Sequence, residues 1–251
     1  MKRNRFSPVL QLVIIEFKLY IREPSAFFFT LIFPLLLMLL FGSIWGNDPF
    51  PGATYGYIDA FTSAFIGLVT LTSSVNHLTV NIAAYREKGI LKRFRATPVS
   101  PVTLLAAQLI VLLAITTLGV ILLLLAGVFV FDMHFSGSIP EAIAAFILGC
   151  LGIAGLGFIP ASLVRTTRSG TVTANIIYFP MMFLSGTAFP REMLPDFLKT
   201  VSEWLPLTHM IELLRGIWLG ESITAFPVEI AVLTGTALIG GLVSARFFRW
   251  D

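Results

Sequence analysis

Thr70, Ser73, His77 and Asn81 stand three and four residues apart inside a long, mostly apolar stretch. On a helix this spacing puts two hydroxyls, an imidazole and an amide on one face. Such a face either lines a polar path or a subunit seam, or it satisfies hydrogen bonds between helices and back to its own carbonyls. His77 is the only ionisable side chain well inside any apolar run, and the sequence places no Asp or Glu to relay a proton with it, so a polar packing role is its ordinary reading. Asn175 and Tyr178, just before Pro180, form the next polar pair. Catalytic chemistry has little support, because no nucleophile, base and oxyanion donors can be assembled from these motifs. A metal centre is not expected either: His77, His134 and His209 are far apart, and the single cysteine, Cys150, has no partner motif.

A second chemistry-bearing stretch, residues 85–101, reads YREKGILKRFRATPVSP. Between Arg86 and Arg95 it holds five basic side chains and one acid, in a chain that is 56% hydrophobic and only 12% charged. Continued as a helix, it lines Glu87, Ile90, Leu91 and Phe94 along one side and sets Lys88, Lys92 and Arg95 opposite, flanked by Arg86 and Arg93. Pro98 ends that helix and pushes Thr97 out of helical geometry, and Ser100-Pro101 restarts the next one.

The elements that must position these residues are membrane helices. Mean hydropathy is +0.88, and a spanning helix needs about 20 mostly apolar residues. Six runs qualify: 26–45, 58–83, 102–131, 141–164, 171–189 and 226–248. Their continuity excludes a barrel, whose strands alternate apolar and polar residues. The fold class expected is an all-α membrane protein of a single transmembrane domain, with no soluble domain and no internal repeat. Of the 17 Lys and Arg residues, 14 fall on one side of an alternating six-span arrangement, which assigns that side and both termini to the cytoplasm. Residues 8–22 read as an amphipathic helix lying on the inner membrane surface, capped by Ser7, entered through Pro8 and ended by Glu23-Pro24. Residues 190–220 exceed a simple connection and read as re-entrant outer helices, since Glu212 and Arg215 interrupt an apolar part too short to span. Gly149, Gly152, Gly155 and Gly157 permit close helix approach, and Pro34 and Pro180 are expected to kink their spans.

Three uses compete for the charged loop. Anionic lipid explains the cations, at about 1 kcal/mol each, but not the grouping of Ile90, Leu91 and Phe94. Nucleic acid is an unlikely partner for so short a patch. Docking into another protein, with Leu91 and Phe94 as anchors and the charges as a rim, uses both features. The stretch resembles the loop between the second and third spans of type-2 ABC transporter permeases, in which an acidic-basic-Gly-x-Leu-Lys pattern leads into Arg-Ala-Thr-Pro. Residues 183–220, FLSGTAFPREMLPDFLKTVSEWLPLTHMIELLRGIWLG, are similar to that family's outer segment.

The resemblance implies a permease without a nucleotide site, paired with a cytosolic ABC ATPase that binds ATP and Mg, and with a second permease copy as homodimer or heterodimer. It also implies that Tyr85, Arg86, Glu87, Lys88, Gly89, Ile90, Leu91, Lys92, Arg93 and Phe94 form the coupling helix that sits in a groove of the ATPase, within 85–97. The chain agrees on one point of its own: no Lys follows a Gly, so the phosphate-binding GxxxxGK[ST] loop is absent. Leu91→Ala or Phe94→Ala is then expected to uncouple transport and leave insertion intact. The cargo favoured is an amphipathic or hydrophobic small molecule exported from the cell. Lipid or polysaccharide export is the alternative, an ion-coupled secondary transporter a lesser one because only His77 is ionisable at depth, and a non-transporting scaffold a third.

Overall fold

The computed structural model describes residues 8–49, 55–95, 101–188 and 191–247, with the side chains of 8, 9, 94, 95, 101, 102 and 192 outside that description. Ser7, Thr97, Pro98, Ser100 and the side chain of Phe94 therefore lie outside the described residues. The described chain is helical throughout: α1 (Pro8–Ile21), α2 (Pro24–Trp45), α3 (Tyr57–Glu87), α4 (Ile90–Arg95), α5 (Pro101–Phe131), α6 (Ile139–Leu163), α7 (Thr167–Leu184), α8 (Asp196–Ser202), α9 (Pro206–Trp218) and α10 (Pro227–Phe247). Prolines mark many of the starts, where the missing N–H costs nothing. α1 stops before Glu23, which takes the extended geometry that a following proline demands. α7 opens on Thr166, whose Oγ1 accepts from the Ser169 N–H.

α2, α3, α5, α6 and α10 are long and apolar enough to cross a membrane. α7, on the expected fifth span, is 18 residues long, about 27 Å of helix against a hydrocarbon core of about 30 Å. It also carries Arg168, Thr171, Thr173 and Asn175 in its first half. α3 is the hub: 94% of its apolar stretch is buried within the protein, against 28% for α2 and 17% for α10. α10 packs on α6 where a side chain on Gly240 would lie 2.1 Å from the Gly155 carbonyl oxygen. The two backbones meet with no room for a Cβ, as in close membrane helix pairs. The polypeptide outside this core presents apolar side chains outward, among them Ile176 and Phe183 of α7 and Leu238 and Leu242 of α10.

Two spans contain π-helical turns. Residues Phe28–Ile32 form one in α2, directly before Pro34, which has no N–H to give to Thr30. The local change of helical period beside Pro34 is this π turn. The second, Thr72–His77, lies in the middle of α3.

Candidate functional site

At one end of α3 the chain turns sharply into α4. The Lys88 N–H reaches the Ala84 carbonyl at 3.0 Å, the Gly89 N–H reaches Arg86 at 3.0 Å, and Gly89 has φ +68. This is a left-handed helix stop, open to glycine without steric cost. The continuous helix read from the sequence is thus broken at Lys88-Gly89, and Glu87 does not share a face with Ile90 and Leu91. The expected lever divides into two sets of residues. Tyr85, Arg86, Glu87 and Leu91 face the protein: the Tyr85 hydroxyl donates to Glu16 Oε2 at 2.7 Å, and the Arg86 guanidinium donates to the Ala161, Ser162 and Val164 carbonyls at the end of α6. Glu87 accepts the Thr167 N–H at 2.7 Å and so caps α7. Leu91 is fully buried with Leu78, Ile82, Leu104 and Phe158. An anchor for a partner's pocket must be accessible, so Leu91 is a core residue of this chain instead. Lys88, Lys92 and Arg93 are exposed, and Gly89 and Ile90 are partly so.

α1 lies along this same end, packed on α5. Its buried stripe is Leu12, Glu16 and Tyr20, one residue per turn, while Leu10, Ile14, Ile15, Leu19 and Ile21 are exposed. Glu16 is 3% exposed. Burial raises its carboxyl above the usual range, and hydrogen bonds from Tyr85, Gln108 and Asn81 draw it part of the way back. Asn81 Nδ2 stands 3.5 Å from Glu16 Oε2. His77 meets Tyr20 edge-on, with ring centroids 4.5 Å apart, and its Nδ1 is 3.9 Å from Glu23 Oε2. The sequence reading that no acid accompanies His77 is therefore corrected. The break at Glu23-Pro24 folds α1 back beside α3, and a carboxylate distant in sequence arrives at the imidazole.

The polar residues of α3 take different partners along its length. Thr70 and Ser73 bond back to the Ile66 and Val69 carbonyls at 2.9 Å each, the local role open to membrane hydroxyls. His77 and Asn81 face α1. On another side, Asn76 Nδ2 donates to Asn175 Oδ1 at 3.3 Å, and Thr72 Oγ1 lies 3.2 Å from the Tyr178 hydroxyl. The void beside Ser73, His77, Tyr20 and Gln108 is only about 10 Å³, room for about one water and no cargo. Larger spaces lie at the two ends. An apolar cleft of about 530 Å³ runs between the end of α6 and the start of α7, lined by Ile159, Leu163, Val164, Ile177 and the polar Arg165, Ser169 and Thr173. A pocket of about 320 Å³ at the opposite end is lined by Phe61, Ser185, Arg191, Thr208, Glu212 and Arg215.

That opposite end is held by charge. Arg191 pairs with Glu212 and, at 3.3 Å, with Glu203, and its Nε donates to Ser202 Oγ at 2.7 Å. Burial raises the Glu212 carboxyl, and the Arg191 charge opposes the rise. Asp59 ties the start of α3 to its neighbours, accepting from Asn47 Nδ2 at 3.1 Å and from the His134 N–H at 2.8 Å.

Comparison with known proteins turns this architecture into a family. The model of the ABC-2 type transporter family matches residues 8–219. The chain belongs to the ABC-2 type transporter family. It is similar to the probable multidrug ABC transporter permease YbhR of Escherichia coli strain K12, 21% identical over 159 residues, which cover 63% of this chain and 43% of that protein. It is 33% identical to nodulation protein J of Rhizobium leguminosarum bv. viciae over 109 residues, 41% of this chain and 42% of the relative. It is 24% identical to the putative transport permease ycf38 of Cyanophora paradoxa over 242 residues, 91% of this chain and 83% of the relative. The match spans less than half the length of the first two relatives.

Within this ABC-2 chain, sequence reasoning found the loop, the polar face and the Asn175–Tyr178 pair, which the structure joins to α3 through Asn76 and Thr72. It missed Glu16 as the partner of Tyr85, whose only signal is that it is the one acid of α1. It also missed the meeting of His209, Glu212 and Glu229, whose ligand atoms lie within 4.8 Å of one another. The available signal was His209 and Glu212 spaced i, i+3 on α9.

Proposed function

We propose that this ABC-2 chain is the multi-pass permease subunit of an ATP-binding cassette exporter in the cell membrane, with six spans of which α7 is the fifth and with both termini in the cytoplasm. A separate ATPase subunit binds ATP and Mg, and two permease copies complete the exporter. The coupling element is Tyr85–Phe94. The observation that carries the reading is the division of that stretch: a cationic rim of Lys88, Lys92 and Arg93 faces outward, while Tyr85, Arg86 and Glu87 grip α1, α6 and α7. A push on the rim is then delivered to three other helices at once.

The cargo is an amphipathic or hydrophobic small molecule. The apolar cleft between α6 and α7, with Arg165 and two hydroxyls at its border, supports this class, as does the resemblance to a relative described as a probable multidrug permease. The test is ethidium efflux from cells expressing this chain with its ATP-binding subunit. The wild type is expected to expel ethidium only while ATP is available. Lys92→Glu with Arg93→Glu is expected to abolish efflux while membrane insertion stays normal. Efflux that persists after ATP depletion, or that survives both charge reversals, rejects the reading.

A further inference from the structure

His209 lies on α9 and is 8% exposed. Its Nε2 is 2.8 Å from the Glu203 carbonyl oxygen. A carbonyl only accepts, so Nε2 carries the proton, and in the neutral ring Nδ1 presents a lone pair. That Nδ1 is buried with no hydrogen-bond partner. It faces Glu229 Oε1 of α10 at 3.8 Å, and Glu212 lies one turn along α9. One nitrogen and two carboxylates thus bring electron-pair donors within 4.8 Å of one another. Arg191 is shared between Glu212 and Glu203.

We propose that His209, Glu212 and Glu229 bind a divalent transition-metal ion that staples α9 to α10. Imidazole nitrogen with two carboxylate oxygens suits Zn²⁺ and its neighbours in hardness. The backbone carbonyl on Nε2 is the usual outer partner that fixes a ligating imidazole's tautomer and orientation. Bond lengths of about 2.0–2.2 Å put ligands on a tetrahedral ion about 3.4 Å apart. Rotation of the two Glu side chains, 39% and 16% exposed, closes the present spacing of up to 4.8 Å. The ion adds two positive charges where two carboxylates face a lone pair, and it links α9 to the last span, α10.

The test is Zn²⁺ titration of the chelator-stripped full chain in lipid nanodiscs, followed by calorimetry and by thermal unfolding, with Co²⁺ as a spectroscopic substitute. One ion per chain, a raised unfolding temperature and a visible Co²⁺ absorption band are expected. His209→Gln and Glu229→Gln should each weaken binding at least tenfold, the low end of the loss caused by removing even an outer partner. His134→Gln, at an exposed histidine of the same end, should leave binding unchanged. The Co²⁺ band in the unmutated chain gives a readout that does not depend on either variant folding. Zn²⁺ binding no tighter than in His209→Gln, or nitrogen NMR showing both His209 ring nitrogens protonated at neutral pH in the presence of Zn²⁺, overturns the site.

Discussion

Glu16 shows how one buried side chain sets both stability and its response to pH. Its folded-state carboxyl is raised above the ordinary value by burial, so the folded protein holds that proton more tightly than the unfolded chain. Stability is then greatest when Glu16 is protonated and falls as pH rises through the raised value. Glu16→Gln keeps an acceptor for the Tyr85 hydroxyl and removes the charge. It is expected to melt at or above the wild-type temperature at neutral pH and to flatten the dependence on the acid side. Glu16→Ala strands the Tyr85 hydroxyl and is expected to cost about 1–3 kcal/mol. Thermal unfolding of the three proteins in one detergent between acid and neutral pH checks both statements, and equal losses in Gln and Ala would remove the role assigned to the charge. Leu91→Ala is expected to cost about 2–5 kcal/mol, the range for a large core truncation, so any transport defect it shows reflects folding first.

Among the elements, the α3–α4 junction and the α6–α10 contact depend on glycine for different reasons. Gly89 has φ +68 and open space around its missing Cβ, so Gly89→Ala is expected to cost only about 1–2 kcal/mol of left-handed strain, with no clash. Gly240 instead faces the Gly155 backbone, and a Cβ there would stand 2.1 Å from its oxygen. Gly240→Leu should separate α6 from α10 and lose folded protein altogether, measured as the yield of monodisperse material after extraction, whereas Gly89→Ala should be recovered normally. Comparable yields for both would contradict the packing described. The helices themselves were legible because long apolar runs and prolines announce them, and the stop of α1 before Pro24 was readable to within a residue. The break at Gly89 was not. Glu87, Ile90, Leu91 and Phe94 fit a helical period so well that the glycine stop signal was outweighed. The π turn in α3 was equally hidden, since a local change of period leaves no mark in composition.

Across the whole molecule, what sequence withheld was the set of ties between distant segments. Tyr85 meets Glu16 across 69 residues and Glu87 meets Thr167 across 80. No periodicity encodes such pairs, because tertiary packing alone brings them together. These ties predict two separable kinds of defect in the proposed exporter. Lys88→Glu with Lys92→Glu changes only the outward rim, so it should weaken association with the ATPase, and the weakening should shift with salt because exposed charges are screened. Tyr85→Phe leaves the rim intact and removes the Tyr85–Glu16 hydrogen bond between α3 and α1. It should bind the ATPase with wild-type affinity and still hydrolyse ATP, yet move less ethidium per ATP consumed. Measuring binding, hydrolysis and efflux on both variants distinguishes a lever that transmits motion from a patch that merely docks. If Tyr85→Phe transports at the wild-type ratio, the hydrogen bond to α1 is structural packing, and force leaves α4 by the Arg86 and Glu87 contacts alone.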